Sequence, residues 1–241
     1  MAKDILVQRK GRIVHITLNR PRKGNLMSTR MKEILTDTVN GLGRDDKTCA
    51  ILLRGNGKDF CHGREQALPG GPPKNAFDMH NRAMGKILAV YAAFRNCPVP
   101  IVSVVQGKAL GFGCALVGGS DVAYASTEAR FALPEMAHGT APTLAMAALA
   151  KVSPKTVCDL VYSREEIDAE TALATGLVSR VFPPAALEKA MDSLLARLAA
   201  YDPVDVKAVK RFQWTGPQLH PDIMSDLAGY TLATVRSRKI G

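Results

Sequence analysis

Alternation of apolar and polar positions opens the chain. In ILVQRKGRIVHITLNRP, residues 5–21, two alternating runs meet at Lys10-Gly11. This predicts two strands folded over a short turn and ended by Pro21. The pattern then changes period. Met31, Ile34, Leu35, Val39 and Leu42 recur at helical spacing, and Ser28 stands where a capping hydroxyl belongs, which predicts a helix over 29–42. CAILLRG, residues 49–55, is a continuous apolar run of strand length. LPGGPPK, residues 68–74, breaks regular structure with three prolines after the loop GKDFCHGREQ, if Pro69 is counted with Pro72 and Pro73. A helix is expected over about 76–95, then the strand VPIVSVVQG. The glycine-rich turn 107–113 and a short small-residue helix lead to a strand at 122–125. After ARFALPE the pattern reads as helical to the end. Strands separated by helices imply a right-handed α/β arrangement with a helical C-terminal portion.

Composition sets the limits on function. The 241 residues suffice for one large domain or a domain with a small appendage. No apolar run reaches the ~18 residues that span a bilayer. Charges interrupt MAKDILVQRKGR throughout, so it lacks a signal-peptide pattern, and the expected site is the cytoplasm. The five cysteines are scattered without CxxC spacing, which argues against a disulfide framework or a zinc finger. No His, Cys, Asp or Glu cluster has metal-ligand spacing, so no metal is expected.

The formal charge of +10 points to a polyanionic partner. The positive residues are dispersed and aromatics are scarce, which disfavours dedicated nucleic-acid binding and leaves an anionic membrane or a phosphorylated cofactor. The turn at Gly107–Gly113 is not a dinucleotide fingerprint, because Leu116 stands at the third glycine position. GNGKDF lacks the ending of a phosphate-binding loop. What remains is a glycine-preceded helix start with unpaired N–H groups, which favours an anion or a developing oxyanion.

Five segments in register resemble the crotonase family, the enoyl-CoA hydratases and isomerases. They are ITLNRP with NLMS, LLRGNGKDFCHGRE, PIVSVVQGKALGFGCAL with SDVAYAS, ARFALPEMAHGTAP, and IDAETALATGLVSRVFP. The resemblance implies a crotonase-like ββα spiral core over 1–185. It also implies a C-terminal helical region, 186–241, for trimerisation and CoA contact. The active form would be a homotrimer or a dimer of trimers.

The resemblance further implies that the backbone amides of Arg64, after Gly63, and of Phe112, after Gly111, hold the thioester oxygen. Glycine is usual at position 112, so Phe112 is a departure that a negative φ would tolerate. The family's hydratases carry two glutamates. This chain has Ala115 at the first place and Glu135 at the second, which favours moving a proton between carbons over adding water. Arg22 and Lys23 are implied along the pantetheine and diphosphate, and Lys210 near the adenosine phosphate. His138, three residues after Glu135, and His62 are possible auxiliaries. CoA enters as part of the substrate, with no permanently bound cofactor. Hydration or thioester hydrolysis is the alternative chemistry, and a non-catalytic acyl-CoA- or RNA-binding protein is the alternative of another class.

Overall fold

The computed structural model describes residues 3–42, 45–66, 68 and 70–238. Strands β1 (Ile5–Lys10) and β2 (Ile13–Leu18) form the expected antiparallel hairpin, with Ile5 opposite Leu18. Helix α1 (Thr29–Leu42) follows, and the Ser28 hydroxyl accepts the amide N–H of Met31 at 3.2 Å, an N-terminal cap. After β3 (Ala50–Gly55), the helix expected over 76–95 is interrupted. Helix α2 (Ala76–Met79) passes through a π-helical turn, His80–Met84, into α3 (Gly85–Asn96). The apolar period does not register one inserted residue per turn, so the sequence reads through it.

Strand β4 (Ile101–Val105) leads to β5 (Lys108–Leu110), helix α4 (Phe112–Gly118), β6 (Val122–Ser126) and β7 (Arg130–Ala132). The remainder is not wholly helical. Helices α5 (Thr143–Ala148), α6 (Pro154–Tyr162) and α7 (Ala169–Ala174) are broken by β8 (Ile167–Asp168) and followed by β9 (Arg180–Phe182). Strands of two or three residues are too short to carry a period of two, and tertiary pairing makes them. Helices α8 (Pro184–Ala200), α9 (Pro203–Thr215) and α10 (Pro221–Ser237) close the described chain.

Six strands form one sheet in the order β1-β2-β3-β4-β6-β9, parallel from β2 onward. A small second sheet runs β5-β7-β8. The main sheet is covered on both faces. Ile51 and Leu53 pack with α1 and α3, while Leu52, Val102, Val104 and Tyr124 pack with Leu187, Met191 and Leu195 of α8. Successive side chains of a strand point to opposite faces, so a strand covered on both must be apolar at nearly every position. This is why CAILLRG shows no alternation. The second sheet joins the loop after β3 to the turn before α4, and there the candidate residues converge.

Candidate active site

The loop after β3 is held by its backbone and by one asparagine. Asn25 is fully buried, and its amide donates to the carbonyls of Asn56, Asp59 and Phe60 at 2.9–3.2 Å while its Oδ1 accepts the Arg20 amide N–H at 2.8 Å. The amide N–H of Cys61 donates to the Lys108 carbonyl at 3.0 Å and its carbonyl accepts from Leu110 at 2.8 Å, which welds the loop to β5. The Cys61 side chain is buried among the Asn25 and Gly63 main-chain atoms, and burial pushes its thiol up to about 12. A thiol in that state is no nucleophile near neutral pH. The His62 amide donates to the Gly24 carbonyl at 2.8 Å, and its Nε2 stands 3.0 Å from Asp59 Oδ2.

Gly63 then turns the chain at φ +110°, a region that L side chains rarely adopt. A Cβ on Gly63 would lie 3.3 Å from the Leu110 carbonyl and 3.9 Å from the Phe112 nitrogen, so the two distant segments meet here. Met27 donates to the Gly63 carbonyl and Glu65 donates to Met27, which leaves the intervening Arg64 amide outside the ladder. Among the described residues, neither the Arg64 nor the Phe112 amide donates to a main-chain carbonyl. Phe112 begins α4 and is not among the residues with positive φ, so its side chain costs no backbone strain. Its ring stacks on Tyr91 of α3, with centroids 5.8 Å apart.

Glu135 lies beside this point, in a 3-10 turn, Pro134–His138. Its Oε1 is 2.8 Å from where a Cβ on Gly111 would stand, and Gly111 has φ +52° and ψ −116°. Only glycine offers both that conformation and that space. Among the described residues, the buried Oε2 of Glu135 has no hydrogen-bond partner. Burial raises the carboxyl above the ordinary carboxylate range; its own backbone hydrogen bond and the charges of Arg64 and His138 offset part of the rise. His138 is exposed at the end of the same turn. Ala115 is fully buried, so the neighbourhood offers Glu135 no second carboxylate from α4.

Arg22 and Lys23 form an exposed 3-10 turn, Pro21–Lys23, and make no ion pair among the described residues. Lys210, implied by the resemblance near the adenosine phosphate, is engaged within the chain by Asp121. Its Nζ is 2.5 Å from Asp121 Oδ2 and 3.2 Å from the Phe94 carbonyl, with the side chain 3% exposed. Asp121 also accepts from the Ile101 amide at 2.8 Å and from Trp214 Nε1 at 3.1 Å. Lys210 borders a cavity of about 580 Å³ with Arg95, Lys207 and Arg211, but its own charge is already matched. A sequence pattern gives a lysine's position on a helix without revealing the aspartate that captures it.

A cavity of about 1260 Å³ lies by the ends of β2 and β3 and the start of α8; of the candidate side chains His62 lines it. Asn25, Tyr91 and the buried Lys32 are the residues near the site that periodicity did not single out. The asparagine in NLMS, held at φ +53°, was the one available signal.

The family model for enoyl-CoA hydratase/isomerase matches residues 8–215. An enoyl-CoA hydratase, EchA19, of Mycobacterium tuberculosis is 30% identical over 212 residues, 86% of this chain and 79% of the relative. A mitochondrial Delta(3,5)-Delta(2,4)-dienoyl-CoA isomerase of Mus musculus is 29% identical over 210 residues, covering 82% of this chain and 64% of that protein. The crystal structure of an enoyl-CoA hydratase of Mycobacterium smegmatis superposes with a TM-score of 0.92 at 27% identity, covering 98% of this chain and 91% of the other. The fold is that of the crotonases.

Proposed function

The chain belongs to the enoyl-CoA hydratase/isomerase family, and within it we propose that the protein shifts a double bond, Δ3 to Δ2, in an enoyl-CoA thioester. The observation that carries this reading is the Glu135 carboxylate beside the junction of Gly63 and Phe112, with its buried Oε2 lacking a hydrogen-bond partner among the described residues. In the proposed reaction the thioester oxygen accepts the amide N–H groups of Arg64 and Phe112. Glu135, ionised, takes a proton from the carbon next to the carbonyl, and the electrons move onto that oxygen as an enolate. The protonated Glu135 returns the proton to the far carbon of the allylic system, so no atom is gained or lost. Fixed amide donors stabilise such an oxyanion by ~2.7–4 kcal/mol each in known cases. A base with a raised pKa is better matched to proton transfer near neutral pH than an ordinary carboxylate.

The exposed Arg22 and Lys23 suit the CoA phosphates. For the helical region 186–241 we propose homotrimer contacts, since Val209, Ile223, Tyr230 and Leu232 present apolar surface outward. Hydration is the second reading, with His138 at the end of the same turn as the auxiliary group.

The test presents a β,γ- and an α,β-unsaturated enoyl-CoA in parallel, followed by ultraviolet absorbance of the conjugated thioester and by product mass, in water enriched in oxygen-18. Isomerisation gives conjugation without label. Labelled hydroxyacyl product from the α,β-unsaturated thioester, with loss of its absorbance, favours hydration. Glu135→Gln is expected to lower turnover roughly 10²–10⁴-fold, and a variant as active as the parent removes Glu135 from the mechanism.

A further inference from the structure

Helix α1 buries a lysine. Lys32 is 3% exposed, on the same helix face as Met31, Leu35 and Val39. Burial of a lysine ammonium is costly unless an opposite charge meets it. Among the described residues Lys32 makes no ion pair and no side-chain hydrogen bond. The two carboxylates whose charge reaches it are engaged elsewhere: Glu33 with Lys86 at 2.8 Å, and Glu65 with Arg20 at 2.7 Å.

The other charge that reaches Lys32 is also positive, that of Arg64. The Arg64 guanidinium is half-buried and likewise has no ion pair or side-chain hydrogen bond among the described residues. Its charge also acts on Glu135 and on the phenol of Tyr91. The main chain makes this proximity intelligible. Arg64 is bridged to Met27, and α1 starts two residues beyond Met27, so Lys32 lies about one turn into the helix beside the loop. Arg64 thus adjoins the candidate base and Lys32 adjoins Arg64, neither with an ion-pair partner among the described residues. Burial and the Arg64 charge push the Lys32 ammonium down to about 8, which still leaves it mostly protonated at pH 7.

We propose that Lys32 and Arg64 together receive a carboxylate carried by the acyl group, so that the preferred substrate is the mono-CoA thioester of a short dicarboxylic acid. The inference rests on the reading of the protein as an acyl-CoA enzyme and names its substrate class. The arrangement gives an uncompensated pair of charges its counterion only when the right substrate is bound, and a methyl-ended acyl group leaves both cations unmatched.

Binding needs no catalysis, so the probes are two saturated thioesters of equal carbon number, glutaryl-CoA and pentanoyl-CoA, titrated calorimetrically into the full chain. Charge-assisted hydrogen bonds in a partly buried site imply that glutaryl-CoA binds roughly 10- to 100-fold more tightly. Lys32→Met is expected to remove most of that ratio and to melt no lower than the parent, because an unpaired buried charge is lost and the volume is nearly kept. Arg64→Gln, which retains the backbone amide, reduces the ratio as well. Equal affinities in the parent overturn the proposal. So does a Lys32→Met variant that weakens both thioesters equally, because its charge then serves the CoA phosphates common to both. If the preference stands but no thioester is converted, the isomerase reading fails and this one holds. If neither thioester binds, both fail.

Discussion

The Glu135 carboxylate occupies the space that a side chain on Gly111 would need, its Oε1 2.8 Å from the position of that Cβ. One residue of the turn before α4 thereby sets where the candidate base can stand. Gly111 also precedes Phe112, whose amide is one of the two proposed oxyanion donors. Base and donor are consequently coupled through a single main-chain position.

Gly111→Ala tests that coupling. The new methyl meets Glu135 and also demands a backbone conformation, φ +52° and ψ −116°, that alanine adopts only under strain. Strain of this kind costs on the order of 1–3 kcal/mol. Displacement of a reacting group by about 1 Å costs roughly 10²-fold in rate. The variant is expected to unfold at lower denaturant and to lose at least that factor in kcat/KM. A variant that loses stability alone would show that the carboxylate can be moved without penalty, and the geometry would then be irrelevant to the rate.

A second prediction follows from the raised pKa of Glu135. The folded protein holds this proton more tightly than the unfolded chain, because burial disfavours the ionised form. Ionised Glu135 therefore opposes folding at pH values above its folded pKa. The opposition disappears as pH falls below the ordinary glutamate value of ~4.3, where both states are protonated. Glu135→Gln is expected to raise the melting temperature at pH 7–8, with the gain closing towards pH 4. Activity runs the opposite way. The base must be ionised, so kcat/KM in the parent falls as pH drops through a pKa above the usual carboxylate range. A melting temperature gain that is the same at pH 4 and pH 8 would mean that the carboxyl is not perturbed by burial.

Much of this arrangement was legible before any coordinates. The hairpin, α1 with its Ser28 cap, and the strand before the loop follow from local pattern alone, since capping and periodicity are properties of neighbouring residues. The resemblance of GKDFCHGRE, GKALGFGCAL and ARFALPE to one family brought forward Arg64, Phe112 and Glu135. Side-chain partnerships were not legible. Lys32 sits next to Met31 at the edge of the apolar stripe, where a lysine is ordinarily read as solvated. Its burial depends on the loop at Gly63–Glu65 folding against α1, a contact between segments about thirty residues apart. Strands β8 and β9 were missed for a related reason, since two or three residues become a strand only when a neighbouring edge is present.

Lys210, expected near the adenosine phosphate, is held in this chain by an aspartate. Its ammonium is buried against Asp121, which also receives N–H groups from Ile101 and Trp214. Asp121 thereby ties α9 to the start of β4. Removing one partner of a buried pair leaves the other charge unmatched and typically costs 3–5 kcal/mol. Lys210→Met is expected to lower stability in urea unfolding by about 3 kcal/mol or more, whereas Asp121→Asn combined with Lys210→Met costs less than the sum of the two single changes, as coupled neighbours do. CoA affinity measured on the folded variant should fall little, because the phosphates would meet the exposed Arg95 and Arg211 that border the same cavity. A large loss of CoA affinity with unchanged stability would reverse the assignment, returning Lys210 to the nucleotide and making its bond to Asp121 incidental.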